Sequence, residues 1–265
     1  MKKFFLNILH YLGLPFVGLA FLVAVLGLKG KTKRYLRDGE SYLSVDRYKA
    51  VYKICKKFLY IKHIKVESKG FDMIPKKPVL FIINHKSGID PIAMIKILFE
   101  QEGLPYFSFV SKIENKQSKV VKAAMDLIDT IYLDRDNLRQ QFEAFENQIK
   151  SINAGRSVVI FPEGTRIYEH EIREIKAGAL KTAHKTYVPI VPIVIYGSSG
   201  LIDSNKDFID KNRKVYVEVL GVMNPTSFVT TKEEYTSEQI RQNIEKRYKE
   251  IQKLVQEKKQ VFPKE

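Results

Sequence analysis

Short apolar runs that each end at a polar loop constrain the fold of this chain most strongly. The uncharged run at residues 79–83 stops at Asn84 and His85, and the run at residues 157–160 stops at a Pro-Glu-Gly turn. A short apolar run bounded by turn residues is typical of a strand that is buried on both faces. Amphipathic stretches lie between the runs. The sequence therefore predicts an α/β fold, with a largely parallel central sheet flanked by helices.

The remaining periodic segments predict further elements and three regions. Strands are expected at residues 64–68, 106–110 and 215–219, and helices at residues 92–99 and 137–152. The second of these helices should bury one face: Leu138, Phe142, Phe145, Ile149 and Ile152. A terminal helix should begin near Thr236, with a capping box to Gln239, and should bury Ile240, Ile244, Tyr248, Ile251 and Val255. We predict membrane-associating helices at 1–65, a catalytic domain at 66–225 and a docked helix at 226–265.

The first strand-end loop carries a histidine and, five residues later, an aspartate. His85 follows the buried run directly, and a glycine-containing loop separates it from Asp90. Such a loop lets the chain fold back, so that the carboxylate can hold the imidazole as a general base. The alternative is a surface histidine followed by a helix cap, because Asp90-Pro91 is also a typical helix start. A second polar loop favours the catalytic interpretation.

That second loop, residues 161–166, carries groups suited to an anion. Gly164 permits close approach of the backbone to a ligand, and Arg166 offers a planar fork that matches a phosphate. Glu163 could orient that fork or accept a hydrogen bond from a substrate hydroxyl. An ordinary turn would explain the Pro-Glu-Gly-Thr stretch alone. Together, a candidate base after one strand and a guanidinium that can bind an anion after another indicate acyl transfer to a phosphate-bearing alcohol.

The chain resembles the glycerolipid acyltransferase family in four blocks that occur in the family's order. The resemblance covers roughly residues 67 to 221. The blocks are NHxxxxD at residues 84–90, an Asp-Arg strand end at 131–135, FPEGTR at 161–166 and a two-proline strand at 188–193. Two positions depart from the pattern. Ile167 stands where the family often has serine, and Asp129 and Thr130 occupy a stretch where it often has glycine.

The resemblance implies an enzyme that acylates the sn-2 hydroxyl of 1-acyl-sn-glycerol-3-phosphate. It implies His85 and Asp90 as catalytic residues. The residues expected to bind the substrate phosphate are Glu163, Gly164, Thr165, Arg166, Arg135 and Lys112. The acyl donor would be acyl-CoA or an acyl carrier protein, and no cofactor or metal is expected. Glycerol-3-phosphate or another lysophospholipid remains an alternative acceptor, and Lys112 could equally be a surface lysine.

A net charge of +15 indicates an anionic partner. The chain has 45 Lys and Arg residues against 30 Asp and Glu residues, and such an excess suits an anionic membrane, a nucleic acid or an acidic protein. No RNP, KH or C₂H₂ pattern supports a nucleic-acid-binding protein. An uncharged N-terminal stretch, residues 4–28, instead favours anionic membrane lipid. A non-catalytic membrane scaffold is the third alternative, and the intact His85 and Asp90 argue against it.

The N-terminal stretch predicts the location of the protein. It is long enough to cross a bilayer, which takes about 20 residues, but Gly13, Pro15 and Gly18 could divide it into pieces that lie in one leaflet. A basic cluster follows it at residues 29–34, which predicts a catalytic domain on the cytoplasmic face of the cell membrane. The single cysteine, Cys55, excludes an internal disulfide and is expected to be a small buried side chain.

Overall fold

The computed structural model describes residues 2–39, 42–165, 171–202 and 213–263, with side chains from residue 14 onward. Seven strands lie in these residues: β1 (Lys65–Lys69), β2 (Leu80–Ile83), β3 (Phe107–Lys112), β4 (Ile131–Leu133), β5 (Ser157–Ile160), β6 (Ile190–Tyr196) and β7 (Lys214–Val219). Seven α-helices accompany them: α1 (Lys2–Arg37), α2 (Ser44–Ile61), α3 (Ile89–Glu100), α4 (Lys119–Leu127), α5 (Leu138–Asn153), α6 (Lys181–Thr186) and α7 (Glu233–Gln256).

The strands form one mostly parallel sheet in the order β1-β7-β6-β2-β5-β3-β4. Strand β2 lies between β5 and β6 and is parallel to both, while β6 and β7 form the antiparallel pair. The predicted fold class is confirmed. Because parallel strands end at the same edge of the sheet, the loops after β2, β5, β3 and β4 share that edge.

Helices cover both faces of the sheet and enclose two apolar cores. One core joins Leu28 of α1 and buried residues of α2, α3 and α4 to one face. The other joins buried residues of α5, α6 and α7 to the opposite face. Four residues of the predicted α7 face, Ile240, Ile244, Tyr248 and Ile251, are each no more than 1% exposed. The terminal helix therefore packs on the sheet through this face, with Val255 half-buried at its end.

Two details of the helix predictions are wrong. Leu138 and Phe142 are 82% and 63% exposed, because only the second half of α5 packs on the domain, through Ala144, Gln148, Ser151 and Ile152. Helix α7 begins at Glu233 after Lys232, without a side-chain cap. Thr236 lies inside the helix and is buried, where its hydroxyl lies 2.9 Å from that of Thr231, so the predicted capping box does not form.

The N-terminal stretch forms one long helix. Helix α1 continues through Pro15, so of the two arrangements that the sequence left open, the division into two pieces is not observed. Residues Leu14–Arg37 are long and apolar enough to cross a membrane, and 6% of the most apolar window is buried in the protein. A core helix of a soluble protein would be mostly buried. The exposed apolar surface therefore supports membrane association of α1, as one candidate span among the described residues.

Helix α2 packs into the domain as well as against α1. Its residues Tyr48, Val51, Cys55 and Leu59 are buried in the same core as α3, so packing is continuous across the predicted boundary at residue 65. Burial raises the pKa of the Cys55 thiol to about 12. Cys55 is thus a neutral core residue, as expected from the sequence.

An aspartate before β4 attaches both N-terminal helices to the domain. The Asp129 carboxylate accepts a short hydrogen bond from Tyr35 of α1 and lies 3.0 Å from Arg47 of α2 and 3.5 Å from Arg156. Arg47 also donates to the carbonyl of Leu127 at 2.7 Å. Asp129 has a left-handed backbone, with φ 53°, which glycine adopts most easily and aspartate tolerates. The departure from the family pattern therefore keeps the turn and adds a carboxylate that binds α1 and α2.

Candidate active site

The predicted catalytic pair forms at the carboxyl end of β2. The Nδ1 atom of His85 lies 2.8 Å from Oδ2 of Asp90. An ionised carboxylate can only accept, so Nδ1 carries the proton and the Nε2 lone pair is left to accept another. The His85 side chain is 18% exposed and that of Asp90 is fully buried. One imidazole nitrogen is thus fixed by the protein, while the ring remains accessible from outside.

Asp90 is held in place by the loop that precedes it. Its Oδ2 atom also accepts from the backbone N–H groups of Lys86 at 2.6 Å and Ser87 at 2.8 Å. Helix α3 begins at Ile89 after Gly88, which makes no side-chain cap, so Asp90 is not the helix cap that the alternative interpretation required. The carboxylate instead closes the loop onto the histidine. Its position leaves little freedom to the imidazole it holds.

Asn84 anchors the strand end that carries His85. Its amide donates to the carbonyl of Ile195 at 2.8 Å, and its side-chain oxygen accepts from the N–H of the same residue at 2.7 Å. The side chain thereby ties the end of β2 to β6. Sequence reasoning assigned no role to Asn84 beyond its place in the first block, because its partner lies 111 residues away.

The loop after β5 packs directly on His85. The ring of Phe161 stacks on the imidazole, with ring centroids 4.4 Å apart and planes 27° apart. Oε1 of Glu163 accepts from the backbone N–H of His85 at 3.0 Å, and Oε2 lies 3.4 Å from the N–H of Arg173. The Glu163 carboxylate therefore joins two loops through their backbones. That use differs from the predicted contact with phosphate, which stays a prediction, and the role of Phe161 was missed.

A buried lysine beside the His85–Asp90 pair was also missed. Lys86 is fully buried, donates to the carbonyl of Glu171 and lies 5.2 Å from the ring centre of Tyr248. Burial lowers its pKa, although the nearby Glu163 and Asp90 carboxylates act in the opposite direction. Burial likewise raises the pKa of Glu163, which Lys86 partly offsets. A lysine three residues after a buried strand was the available signal, since lysines are rarely buried without partners.

Arg135 and Gly164 lie close together at the edge of the sheet, although β3 separates the two strands, β4 and β5, that carry them. Gly164 has φ 76°, and a Cβ atom built on it would lie 2.8 Å from a guanidinium nitrogen of Arg135. The glycine thus lets the turn and the guanidinium approach each other closely. Burial lowers the pKa of Arg135, opposed by Glu114 and Asp136, but a guanidinium stays charged at neutral pH. A fixed cation therefore lies against the FPEGTR loop.

Of the other predicted phosphate-binding residues, Lys112 and Thr165 lie in the part of the chain that the structure describes. Lys112, the last residue of β3, is paired with Leu133 of β4 and is half-buried. Asp134 and Arg135 follow Leu133 directly. Thr165 is exposed at the end of the loop, and Arg166 lies outside the described residues. Phosphate binding by these six residues stays a prediction, whereas the meeting of the β2, β4 and β5 loops is observed.

The site has a candidate general base and, on the same edge of the sheet, a cation that can bind an anionic group of a substrate. A carboxylate-oriented imidazole can remove a proton from a hydroxyl and return it to a leaving group. Arg135 can hold a phosphate or another oxyanion through planar, charge-assisted hydrogen bonds. The imidazole is held by the buried Asp90 carboxylate and by the stacked Phe161 ring, which favours a substrate that is oriented before it reacts.

Comparison with known proteins agrees with this chemistry. A family model described as Acyltransferase matches residues 65–196. A Mycoplasma genitalium protein named probable 1-acyl-sn-glycerol-3-phosphate acyltransferase is 40% identical over 232 residues, which is 85% of this chain and 86% of that protein. A Mycoplasma pneumoniae protein with the same name is 38% identical over 85% of this chain and 87% of its own length. The resemblance inferred from the four blocks is confirmed.

The fold is also found in a solved structure. The crystal structure of the 1-acyl-sn-glycerophosphate acyltransferase PlsC from Thermotoga maritima aligns with a TM-score of 0.62, at 22% identity, over 89% of this chain and 98% of that one. At this identity the likeness supports the fold alone. The family follows from the Mycoplasma relatives and from a matched region that contains His85, Asp90 and the FPEGTR loop: the chain belongs to the acyltransferase family and is an acyltransferase.

Proposed function

We propose that this acyltransferase moves a fatty acyl group from an acyl thioester to the sn-2 hydroxyl of 1-acyl-sn-glycerol-3-phosphate, and so forms phosphatidic acid in phospholipid biosynthesis. The observation that carries the proposal is the His85–Asp90 pair, 2.8 Å apart, on the same sheet edge as the guanidinium of Arg135. A base and a fixed cation suit an acceptor with both a free hydroxyl and a phosphate. The names of the two Mycoplasma relatives support the same acceptor.

In the proposed reaction, His85 acts first as base and then as acid. Its Nε2 atom takes the proton from the sn-2 hydroxyl as the oxygen attacks the thioester carbonyl, and Asp90 stabilises the imidazolium that forms. The tetrahedral intermediate then breaks its carbon–sulfur bond, and the imidazolium protonates the departing thiolate. Arg135, with Arg166, Lys112 and the 163–165 turn, would hold the acceptor phosphate. No cofactor takes part besides the donor, which is acyl-CoA or an acyl carrier protein.

The proposed acceptor and product are both membrane lipids. Leu19, Val23 and Leu26 of α1 are more than half exposed, so the helix can place apolar side chains in the bilayer. The basic residues after the apolar stretch favour the cytoplasmic face, and anionic lipid would attract them. We propose that the domain works at the cytoplasmic surface of the cell membrane, with α1 spanning the bilayer or lying in one leaflet.

A comparison of wild type with His85→Ala tests the proposal. Acyl transfer from a radiolabelled acyl thioester to lysophosphatidate is measured in detergent micelles, with phosphatidate separated by chromatography. We expect wild-type turnover and a loss of about 10²–10⁴-fold in His85→Ala, which is the usual contribution of a positioned general base. A variant within threefold of wild type would remove His85 from the mechanism.

The same assay distinguishes the acceptors. Glycerol-3-phosphate and lysophosphatidylcholine are offered in competition with lysophosphatidate at equal concentration. We expect lysophosphatidate to be consumed preferentially, since the other two lack either the acyl chain or the exposed phosphate monoester. Preferential acylation of either competitor would keep the reaction class and replace the proposed acceptor. Acyl-CoA and acyl carrier protein donors are compared in parallel.

A further inference from the structure

A groove of about 500 Å³ runs between α1 and α2, away from the catalytic pair. The two helices are held side by side by the rings of Phe21 and Phe58, whose centroids are 6.3 Å apart. Three small residues, Ala20, Ala24 and Ala50, line the groove and leave the space that larger side chains would fill. We call this feature the α1–α2 groove.

The α1 side of the groove is apolar. Phe16, Leu19 and Val23 line it and are 77%, 62% and 60% exposed. Their spacing places them on one face of the helix. An exposed apolar strip of this kind indicates an interaction surface, because isolated soluble domains seldom expose contiguous apolar patches. The strip has the shape and chemistry to contact a hydrocarbon chain.

The α2 side of the groove is basic. Lys53 and Lys57 lie one helical turn apart along it, and Lys31 of α1 completes the lining. None of the described residues that line the groove is acidic. No carboxylate in the described groove lining therefore neutralises these lysines, so their charge is available to an anionic ligand. Opposite walls, one apolar and one cationic, match a ligand with an apolar chain and an anionic head.

We propose that the α1–α2 groove binds one anionic glycerophospholipid, with an acyl chain along Phe16, Leu19 and Val23 and its phosphate at Lys53 and Lys57. The inference rests on the membrane association in the proposed function and adds a defined lipid site to it. General attraction of a basic surface to a membrane needs only charge. A lipid in the groove needs both the charge and the space beside Ala24, and this difference makes the site testable.

Three variants of the protein distinguish lipid binding in the groove from general attraction of lipid by surface charge. Lys53→Gln/Lys57→Gln removes the basic wall. Lys29→Gln/Lys33→Gln is the matched control, since it removes two exposed lysines of α1 that do not line the groove. Ala24→Leu keeps every charge and fills the space. Each protein is incubated with phosphatidylglycerol or phosphatidylcholine in mild detergent, and retained lipid is counted by native mass spectrometry.

We expect wild type to retain one phosphatidylglycerol per chain and at least tenfold less phosphatidylcholine. Retention should fall at least tenfold in Lys53→Gln/Lys57→Gln and at least fivefold in Ala24→Leu, and stay within twofold in the Lys29/Lys33 control. Equal losses of retained phosphatidylglycerol in the two double-lysine variants would show that surface charge alone accounts for the binding. Unchanged retention in Ala24→Leu, or no headgroup preference in wild type, would also overturn the proposal.

Acyl transfer is also measured in micelles for each variant. This second measurement distinguishes failure of the lipid site from failure of the proposed function. The groove variants should retain wild-type turnover within threefold, which also shows that they are folded. If wild type retains phosphatidylglycerol but acylates no acceptor, the proposed function fails and the lipid site stands. If wild type is active but retains no lipid, the lipid site fails alone.

Discussion

At the scale of single residues, the imidazole of His85 is held by contacts from two separate parts of the chain. Asp90 binds its Nδ1 atom from within the same loop. Phe161 stacks on the ring and Glu163 accepts from the backbone N–H, both from the loop after β5. The first contact could be predicted from a five-residue spacing. The others could not, because they depend on β2 and β5 being neighbours in the sheet.

Arg135→Ala should weaken binding of the acceptor more than it slows the chemical step. The guanidinium lies against Gly164, where the proposed phosphate would sit, and charge-assisted hydrogen bonds contribute about 1.5–3 kcal/mol. We therefore expect KM for lysophosphatidate to rise about tenfold or more, with kcat lowered less. Steady-state kinetics with varied acceptor measure both.

Arg139→Ala is the matched control, because Arg139 lies four residues on and its side chain is 88% exposed. Its KM should stay within twofold of wild type. If Arg135→Ala left the acceptor KM unchanged, or if both variants raised it equally, the phosphate role of Arg135 would be wrong.

At the scale of helices and strands, periodicity predicted the elements better than their buried faces. Helix α5 has the expected bounds within one residue, but Leu138 and Phe142 are exposed. Apolar spacing indicates which residues share a face, whereas the length of helix that meets the sheet decides which of them are covered. For α7 the whole predicted face is covered or half-covered, because that helix packs along β6.

Asp129→Asn should loosen the attachment of α1 and α2. Its carboxylate is shared by Tyr35, Arg47 and Arg156, and the Arg47 side chain is only 5% exposed. Removing one partner of a buried ion pair leaves an uncompensated charge, which costs about 3 kcal/mol. We expect that loss in the free energy of unfolding by chemical denaturation. Hydrogen exchange should become faster in residues 30–50 and stay unchanged in β2.

Glu143→Gln provides the contrast, since its ion pair with Arg139 is exposed, at 57% and 88% for the two side chains. Surface pairs contribute less than about 1 kcal/mol. Similar destabilisation by Asp129→Asn and Glu143→Gln would show that the Asp129 cluster adds no more than a surface pair. Uniformly faster exchange would show that its effect is not confined to the N-terminal helices.

At the scale of the whole molecule, only the last part of the apolar helix α1 packs on the domain. Helix α2 and the end of α1 belong to the core through Tyr48, Leu59 and Leu28, each no more than 2% exposed. Between residues 14 and 27, α1 exposes most of its large apolar side chains. The protein therefore combines a folded three-layer domain with one helix whose outer surface is suited to lipid.

Deleting residues 2–24 should separate folding from membrane binding. The deletion spares Leu28 and Thr32, the buried residues by which α1 contacts the domain. We expect Tm to fall by no more than about 5 °C, which corresponds to a small loss of stability in a chain of this size. Co-sedimentation with anionic vesicles should fall at least tenfold, because most of the exposed apolar surface is removed.

Full-length protein measured in the same vesicles is the reference for the deletion. Unchanged co-sedimentation would place the membrane contact elsewhere on the domain. Loss of the cooperative thermal transition would show that the first part of α1 is required for folding.

By itself the sequence determined the fold class, the order of the strands along the chain and the His85–Asp90 pair. These features depend on local patterns, namely apolar runs, helical spacing and a short loop. Only the tertiary structure decided that Asn84 ties β2 to β6, that Glu163 binds backbone and that Asp129 holds α1 and α2. Each of these contacts joins residues more than 70 positions apart. Side-chain spacing along one segment carries no information about which distant segment will pack beside it.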